Sequence, residues 1–155
     1  MKSLCIVGGL VVLSLLAFSS SVYAHCQVPC GIYDDHARVH VMEEDSVTIE
    51  KATRLIGELT GLHDATSHNQ LVRWVKTKEE HANRIISVTA EYFLTQKIKP
   101  ADPKDEAAWK NYILHLTTCH KLMRAAMKVK QTVSQENVDA LKKAISALGA
   151  LYPAK

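Results

Sequence analysis

The segment VDALKKAISALGALYP (residues 138–153) decides the fold class of this chain. Its apolar residues recur at intervals of three or four positions: Val138, Leu141, Ile145, Leu148 and Tyr152. Because an α-helix turns once in about 3.6 residues, this spacing places all of them on one helical face. Ser134 before the segment and Pro153 at its end are typical of a helix start and stop. The segment therefore predicts an amphipathic helix with one face to bury.

Three earlier runs of the chain show the same period and predict three more helices. They cover residues 49–59, 71–93 and 109–123. The second run stops before Pro100, and a short polar turn joins the third run to the fourth. Four amphipathic helices with short connections predict an all-α, up-and-down four-helix bundle over residues 43–155.

Each run is preceded by a side chain that can accept a hydrogen bond from the first helical turn. The expected N-caps are Asp45 or Ser46, Ser67, Asp102 followed by Pro103, and Ser134.

Residues 1–24 have the pattern of a secretory signal peptide. A basic residue precedes an uncharged apolar run at residues 4–18, and Val22 and Ala24 satisfy the small-residue rule for cleavage. A membrane-spanning helix needs about 20 apolar residues, whereas this run is shorter and contains two glycines. We therefore expect cleavage after Ala24 and export to the periplasm or the cell exterior. The membrane would be a partner only through the signal during export.

Composition and motifs argue against several function classes. The formal net charge is +3, and without a basic run interleaved with aromatic residues we expect no nucleic-acid partner. The Glu-x-x-His pairs of di-iron bundles and the Cys-x-x-Cys-His motif of haem attachment are absent from the sequence. His115 and Cys119 could form a metal pair, but Cys119 lies on an apolar stripe, where cysteine packs as a small hydrophobe. The bundle is interpreted as a scaffold.

Residues 25–42 differ from the bundle and predict an irregular N-terminal arm. The arm begins with HCQVPCG (residues 25–31) and shows no helical period over most of its length. Three cysteines remain once Cys5 leaves with the signal, and an odd number is a poor disulfide framework. At least one thiol is therefore expected to serve another purpose.

Signal cleavage would give His25 a free α-amine and create a compact set of metal donors. This amine, the peptide nitrogen of Cys26 and the Cys26 thiolate can form consecutive chelate rings. Pro29 and Gly31 allow the chain to turn, so that the Cys30 thiolate completes an N₂S₂ square with the His25 imidazole in axial reach. Such a square suits Ni(II) or Cu(II) better than Zn(II). Since thiolates reduce Cu(II), nickel is the favoured ion.

Two simpler interpretations of the same residues stay open on spacing alone. Cys26 and Cys30 could form a small disulfide, which is a common fate of exported cysteines. The His-Cys pair could also bind zinc or copper adventitiously.

The segment HCQVPCGIY (residues 25–33) resembles the nickel hook of nickel-containing superoxide dismutases. The family pattern, His-Cys-x-x-Pro-Cys-Gly-x-Tyr, stands at the processed N-terminus, and every fixed position matches. The order of an arm before four helices is also similar, as is the short stretch EYF (residues 91–93).

The resemblance implies one nickel ion per subunit. His25 would give its amine and imidazole, Cys26 its amide nitrogen and thiolate, and Cys30 its thiolate. Tyr33 matches the hook tyrosine that stands over the open face of the metal and limits access, and Tyr92 corresponds to a second tyrosine near the site. The resemblance further implies a homohexamer in which a neighbouring subunit braces each hook.

The chain departs from the family pattern at several positions. Gln27 stands where relatives often carry aspartate, and His40 stands where they use a glutamate to hold the axial imidazole. The candidates for that brace are His40, Glu43 and Glu44. The leader resembles a general secretory signal rather than the short polar propeptide of many relatives.

The sequence thus predicts a nickel-dependent superoxide dismutase that converts superoxide to oxygen and hydrogen peroxide by Ni(II)/Ni(III) cycling. The alternative is an exported nickel- or copper-binding protein that delivers metal without turnover. A disulfide-capped structural bundle is the third hypothesis.

Overall fold

The computed structural model describes residues 32–154, which are mostly helical. The helices are α1 (Asp35–Leu59), α2 (Ala65–Val88), α3 (Glu106–Gln131) and α4 (Gln135–Gly149). A π-helical segment, π1 (Thr89–Lys97), continues directly from α2. The described residues contain no strand, and the predicted all-α class is confirmed. The predicted metal ligands His25, Cys26 and Cys30 lie outside the described residues.

Neighbouring helices run antiparallel, as an up-and-down bundle requires. The Lys51 ammonium of α1 lies 5.6 Å from the Trp74 ring centroid, near the start of α2, whereas Asp45, earlier in α1, contacts His81, later in α2. The helix α1 also packs against α4, and α3 packs against α2 and α4. Each helix therefore has two neighbours, and the predicted bundle topology is confirmed.

The first helix begins well before its predicted start. Asp34 is the N-cap of α1, since its side chain accepts hydrogen bonds from the first backbone N–H groups of the helix. The predicted caps Asp45 and Ser46 are wrong, because both are buried in the middle of α1. Residues 35–42, assigned to the irregular arm from the sequence, are helical.

Two further predicted caps are wrong, and one is confirmed. Asp64 caps α2 by accepting from the backbone N–H and the hydroxyl of Ser67, the predicted cap. Asp105 caps α3. The backbone carbonyl of Asp102, the predicted cap, accepts a hydrogen bond from the Asp105 N–H in the preceding turn. Ser134 caps α4 as predicted. At both of these wrong positions an aspartate three residues away, Asp64 or Asp105, caps the helix instead.

The apolar stripe that was predicted to run through Phe93 ends in π1, where the helix changes from α-helical to π-helical hydrogen bonding. The N–H of Ile98 donates to the Phe93 carbonyl, and the Thr95 hydroxyl donates to the Ala90 carbonyl, so the bonds span five residues. Consecutive residues Tyr92 and Phe93 are both buried here. The wider π-helical turn thus carries two adjacent aromatic rings into the bundle.

The core lies between the four helices, and it includes the apolar face predicted from residues 138–153. The residues of that face which are fully buried are Val138, Leu141, Ile145 and Leu148. Where α4 ends, a Cβ at Gly149 would lie 3.2 Å from Val39 Cγ1, so the glycine permits close approach to α1. Within residues 32–154, none of the helices is both long enough and apolar enough to cross a membrane.

A buried lysine joins α2 to the end of α3. Lys78 Nζ donates to the carbonyls of Val129, Lys130 and Thr132 at 2.5, 3.0 and 2.8 Å. The last carbonyls of a helix lack partners within the helix and carry partial negative charge. Burial lowers the pKa of Lys78, yet the three acceptors surround its ammonium group.

We expect Lys78→Met to lower the free energy of unfolding by about 2–3 kcal/mol, because the carbonyls lose a charged donor. Urea denaturation measures the loss. Lys76→Met is the matched control, since Lys76 is 75% exposed and pairs with Glu80 at 3.6 Å. That pair is worth about 0–0.5 kcal/mol. Equal losses in the two variants would contradict the role of Lys78.

A buried carboxylate joins α1 to α2. Asp45 is 2% exposed, and its Oδ1 accepts from His81 Nδ1 at 2.6 Å and from Arg84 at 3.0 Å. Its Oδ2 is buried without a hydrogen-bond partner in the described part of the chain. Burial, opposed by the bond from His81, raises the pKa of Asp45.

The raised pKa predicts a pH-dependent effect of Asp45→Asn. The folded state holds the Asp45 proton more tightly than the unfolded state does, so the associated stability is lost as pH rises through the folded pKa. As pH rises from the unfolded-state pKa of Asp45 to its folded-state pKa, we expect the free energy of unfolding of the parent to fall relative to that of Asp45→Asn. Urea titrations at several pH values measure this difference. A constant difference between them would contradict the raised pKa. Asp139→Asn, on the exposed face of α4, is the control.

Candidate metal centre

Of the predicted site residues, the two tyrosines lie within the described residues, and the fold brings them together. The Tyr33 and Tyr92 ring centroids are 6.3 Å apart. Tyr33 is 41% exposed, whereas Tyr92 is 3% exposed. Tyr33 precedes α1 and Tyr92 belongs to π1, so residues far apart in sequence meet where the hook sequence ends.

The Tyr92 hydroxyl fixes the backbone at this point. It donates to the Tyr33 carbonyl oxygen at 3.0 Å and to Asp35 Oδ1 at 2.5 Å, so two acceptors share its hydrogen. Burial and then the bond to Asp35 raise the pKa of Tyr92 far above that of a free phenol. Tyr92 therefore stays protonated and serves as a donor across the physiological range.

Charged side chains surround the two tyrosines. Lys97 Nζ lies 3.0 Å from Asp35 Oδ2, so Asp35 uses one oxygen for Tyr92 and the other for a cation. The Arg38 guanidinium carbon lies 4.8 Å from the centroid of the Tyr33 ring, which is cation–π geometry. The start of α1 and the end of π1 together hold the backbone and the ring of Tyr33.

A surface cavity of about 500 Å³ opens beside this cluster. We call it the hook-side cavity, and its lining residues are Ile32, Tyr33, Asp34, Asp35, His36, Lys97, Leu151, Tyr152, Pro153 and Ala154. The backbone that continues from the hook sequence thus forms part of its wall. His36 Nδ1 lies 3.2 Å from the Tyr152 carbonyl oxygen and ties the start of α1 to the end of the chain.

The three candidates for a histidine brace form one exposed cluster on α1. His40 Nδ1 lies 3.3 Å from Glu43 Oε2, and His40 Nε2 lies 3.6 Å from Glu44 Oε1. All three side chains are more than half exposed. Because they pair with one another, they do not depend on a partner from the hook, and bracing of the His25 imidazole stays a prediction.

The possible metal pair of α3 has other partners. Cys119 is a fully buried free cysteine, and burial raises its pKa to about 11, so it remains a thiol. His115 Nδ1 lies 2.9 Å from the Tyr152 hydroxyl. The core interpretation of Cys119 is confirmed. Between residues 32 and 154, no group of three or more histidine, cysteine or acidic side chains could hold a metal ion.

Three residues of this site were missed by the sequence reasoning: Asp35, Arg38 and Lys97. Asp35 and Arg38 follow closely after Tyr33, and their proximity in sequence was a usable signal. Lys97 reaches Asp35 only because π1 packs beside the start of α1, and periodicity does not reveal that contact.

The donor set of the predicted hook fits nickel. Thiolates of Cys26 and Cys30 with the amine of His25 and one backbone amide give two sulfur and two nitrogen donors, which suit a square-planar divalent ion. Tyr33 lies three residues after the last thiolate and is held in place by the bundle.

Comparison with models of known protein families gives a match over most of the chain. A family model described as nickel-containing superoxide dismutase matches residues 20–155, which include the hook sequence and the entire bundle. Neither a curated protein nor a solved structure matches the chain.

We expect Tyr92→Phe to lower the free energy of unfolding by about 1–2 kcal/mol, because the Tyr33 carbonyl and Asp35 lose their shared donor. Amide hydrogen exchange should also accelerate around residues 33–36. Tyr112→Phe, at a half-buried tyrosine on α3, is the matched control. If both variants exchange alike near Tyr33, the Tyr92 hydroxyl does not fix that backbone.

Proposed function

The chain belongs to the nickel-containing superoxide dismutases, and from this premise we propose that His25, Cys26 and Cys30 hold its nickel ion. Membership establishes an oxidoreductase that acts on superoxide with nickel as its cofactor. The hook sequence supports the ligand assignment, because it supplies the amine, amide and thiolate donors within six residues, His25–Cys30.

The proposed reaction converts two superoxide ions and two protons to oxygen and hydrogen peroxide. Nickel bound by thiolate and amide donors supplies one-electron chemistry between the Ni(II) and Ni(III) oxidation states. The protein must therefore admit a small anion, exclude larger molecules and provide protons.

Tyr33 and its neighbours suit the control of access. The Tyr33 ring stands at the hook-side cavity, where Arg38 lies against it and Tyr92 holds its backbone. Arg38 and Lys97 add positive charge near the cavity, which favours the approach of an anion. Asp35 balances part of this charge and keeps the attraction local.

The two tyrosines have different proposed roles. Tyr33, with its ring partly in solvent, can order water that delivers protons to the product. Tyr92 is a poor proton donor to substrate, because its raised pKa keeps its hydrogen on the phenol. We therefore assign Tyr92 the role of a positioning residue that acts through Tyr33 and Asp35.

One observation carries this proposal further than the family match does. The residue with which the hook sequence ends, Tyr33, is fixed against Tyr92 on the wall of a surface cavity. A protein that only bound and released metal would have no need of an aromatic side chain held in this position.

Export and assembly complete the proposal. Cleavage after Ala24 would free the His25 amine, and the leader composition supports export to the periplasm or the cell exterior. A homohexamer would let a neighbouring subunit brace the hook, in addition to His40, Glu43 or Glu44 of the same chain.

Replacing Cys26 and Cys30 together by serine should abolish both nickel binding and the loss of superoxide, because both sulfur donors are removed. Bound nickel is measured by mass spectrometry of the intact mature protein, and activity by superoxide decay. Cys119→Ala is the control and should retain both properties, since Cys119 is buried in α3. Full activity of the double serine variant would refute the assignment.

A form that keeps one extra residue ahead of His25 tests the terminal amine separately. This form should keep the helical content of the parent but lose nickel and activity. The backbone nitrogen of His25 is then part of a peptide bond and is no longer a free amine. Nickel bound by the mature form without superoxide loss would select the metal-delivery alternative. A Cys26–Cys30 disulfide in a metal-free native protein would select the structural one.

A further inference from the structure

Five rings form a continuous row through one end of the bundle. The successive ring centroids are 6.3 Å apart for Tyr33 and Tyr92, 5.1 Å for Tyr92 and Phe93, and 4.8 Å for Phe93 and Tyr152. The His115 ring follows at 5.3 Å from Tyr152. We call this set the ring row. These distances lie within the range of about 4.5–7 Å over which aromatic rings interact.

The ring row connects two cavities. Tyr33 lines the hook-side cavity, and His115 lines a second cavity of about 340 Å³. Tyr152 and Lys97 belong to the walls of both. The middle of the row is closed to solvent, because Tyr92 and Phe93 are buried. The row thus joins two solvent-accessible sites through the core.

Both inner tyrosines have a proton acceptor at hydrogen-bond distance. The Tyr92 hydroxyl donates to the Asp35 carboxylate, and the Tyr152 hydroxyl lies 2.9 Å from His115 Nδ1. Burial lowers the pKa of His115, so its imidazole is neutral near pH 7 and Nδ1 can accept a proton. A phenol that loses an electron becomes a strong acid. Its oxidation is therefore easiest where a base already accepts a hydrogen bond from its hydroxyl.

Packing alone does not require this arrangement. Phe93 fills the same part of the core without any polar group. A buried tyrosine needs a hydrogen-bond acceptor, but a backbone carbonyl meets that need. In the ring row the Tyr92 hydroxyl has the Asp35 carboxylate as an acceptor in addition to the Tyr33 carbonyl. The Tyr152 hydroxyl has the His115 imidazole. A carboxylate and an imidazole, unlike a carbonyl, are groups that take up a proton.

We propose that the ring row is a one-electron relay, which moves an oxidising equivalent from the hook-side cavity to the second cavity. Its biological purpose rests on the proposed function, since one-electron reduction of the hydrogen peroxide product by a reduced transition-metal ion in solution gives hydroxide and a hydroxyl radical, which oxidises phenols. The relay would spare the hook and Tyr33 from permanent oxidation.

Each electron transfer along the ring row is coupled to the movement of one proton. A radical oxidant takes one electron from Tyr33 and becomes an anion, while the Tyr33 phenolic proton passes to water. Tyr92 then gives an electron to Tyr33, which regains a proton from water, and the Tyr92 proton moves to Asp35. Tyr152 gives an electron to Tyr92 across Phe93, the Asp35 proton returns, and the Tyr152 proton moves to His115.

The relay ends at the second cavity. A small reductant there, such as a thiol or an enediol acid, gives one electron to Tyr152, and His115 returns the proton. The net change is reduction of the radical oxidant and one-electron oxidation of the small reductant, with every residue of the ring row restored.

The test applies azide radicals, generated by pulse radiolysis, to the mature protein with its hook in the same metal state in every variant. Mass spectrometry then measures oxidation at each tyrosine. We expect Tyr152→Phe to raise oxidation at Tyr33 severalfold, because the relay loses its last donor. Tyr112→Phe is the matched control, because Tyr112 lines the second cavity but its ring contacts Trp109 and is not a member of the ring row. It should leave oxidation at Tyr33 unchanged. Equal oxidation of Tyr33 in both variants would overturn the relay.

His115→Gln provides a second variant that keeps a polar side chain beside the Tyr152 hydroxyl. Glutamine can hydrogen bond but is a much weaker base, so oxidation should again accumulate at Tyr33, with superoxide activity and urea denaturation close to those of the parent. Behaviour like the parent would show that His115 takes no proton. Because azide radicals oxidise phenols without nickel or superoxide, failure of the relay is distinguishable from failure of the proposed function.

Discussion

The bond from the Tyr92 hydroxyl to Asp35 and to the Tyr33 carbonyl is the contact on which the site depends. It joins π1 to the first residue of α1, at the point where the hook sequence enters the bundle. A buried phenol without an acceptor would be costly, so this end of the bundle is stable only in an arrangement that supplies one. The same bond that satisfies the core therefore places Tyr33.

The bundle was largely predictable from the sequence, because helical period and short connections are local properties. The wrong caps at Ser67 and Asp102 have a local cause too, since each lies three residues from the aspartate that caps its helix. The cap at Asp45 was wrong for another reason, because α1 begins well before it, at Asp35. The π-helical form of π1 was not predictable, because its apolar residues fit both helix types. The contact of Lys97 with Asp35 arises only when distant segments meet.

Two buried charged side chains away from the hook stabilise the alignment of the helices, and this alignment determines where Tyr33 lies. Asp45 links α1 to α2, and Lys78 links α2 to the last carbonyls of α3. A buried charge tolerates little displacement of its partners, because removing them leaves an uncompensated ion in the core. These two contacts therefore fix how neighbouring helices align along their axes, and with them the distance between the start of α1 and π1.

The proposed metal ligands come before Asp34 in the sequence, and the bundle that supports the site comes after it. From Asp34 onward the chain has its own caps and its own buried core, so the bundle has what it needs to fold without the hook. The proposed amine ligand would exist only after proteolysis, whereas contacts among the described residues hold Tyr33, Arg38 and Tyr92. Under this proposal, cleavage would supply the last nitrogen donor to a site beside which the bundle already holds Tyr33. Because contacts of the bundle already hold Tyr33, ordering this side chain adds little to the entropy cost of forming the proposed site.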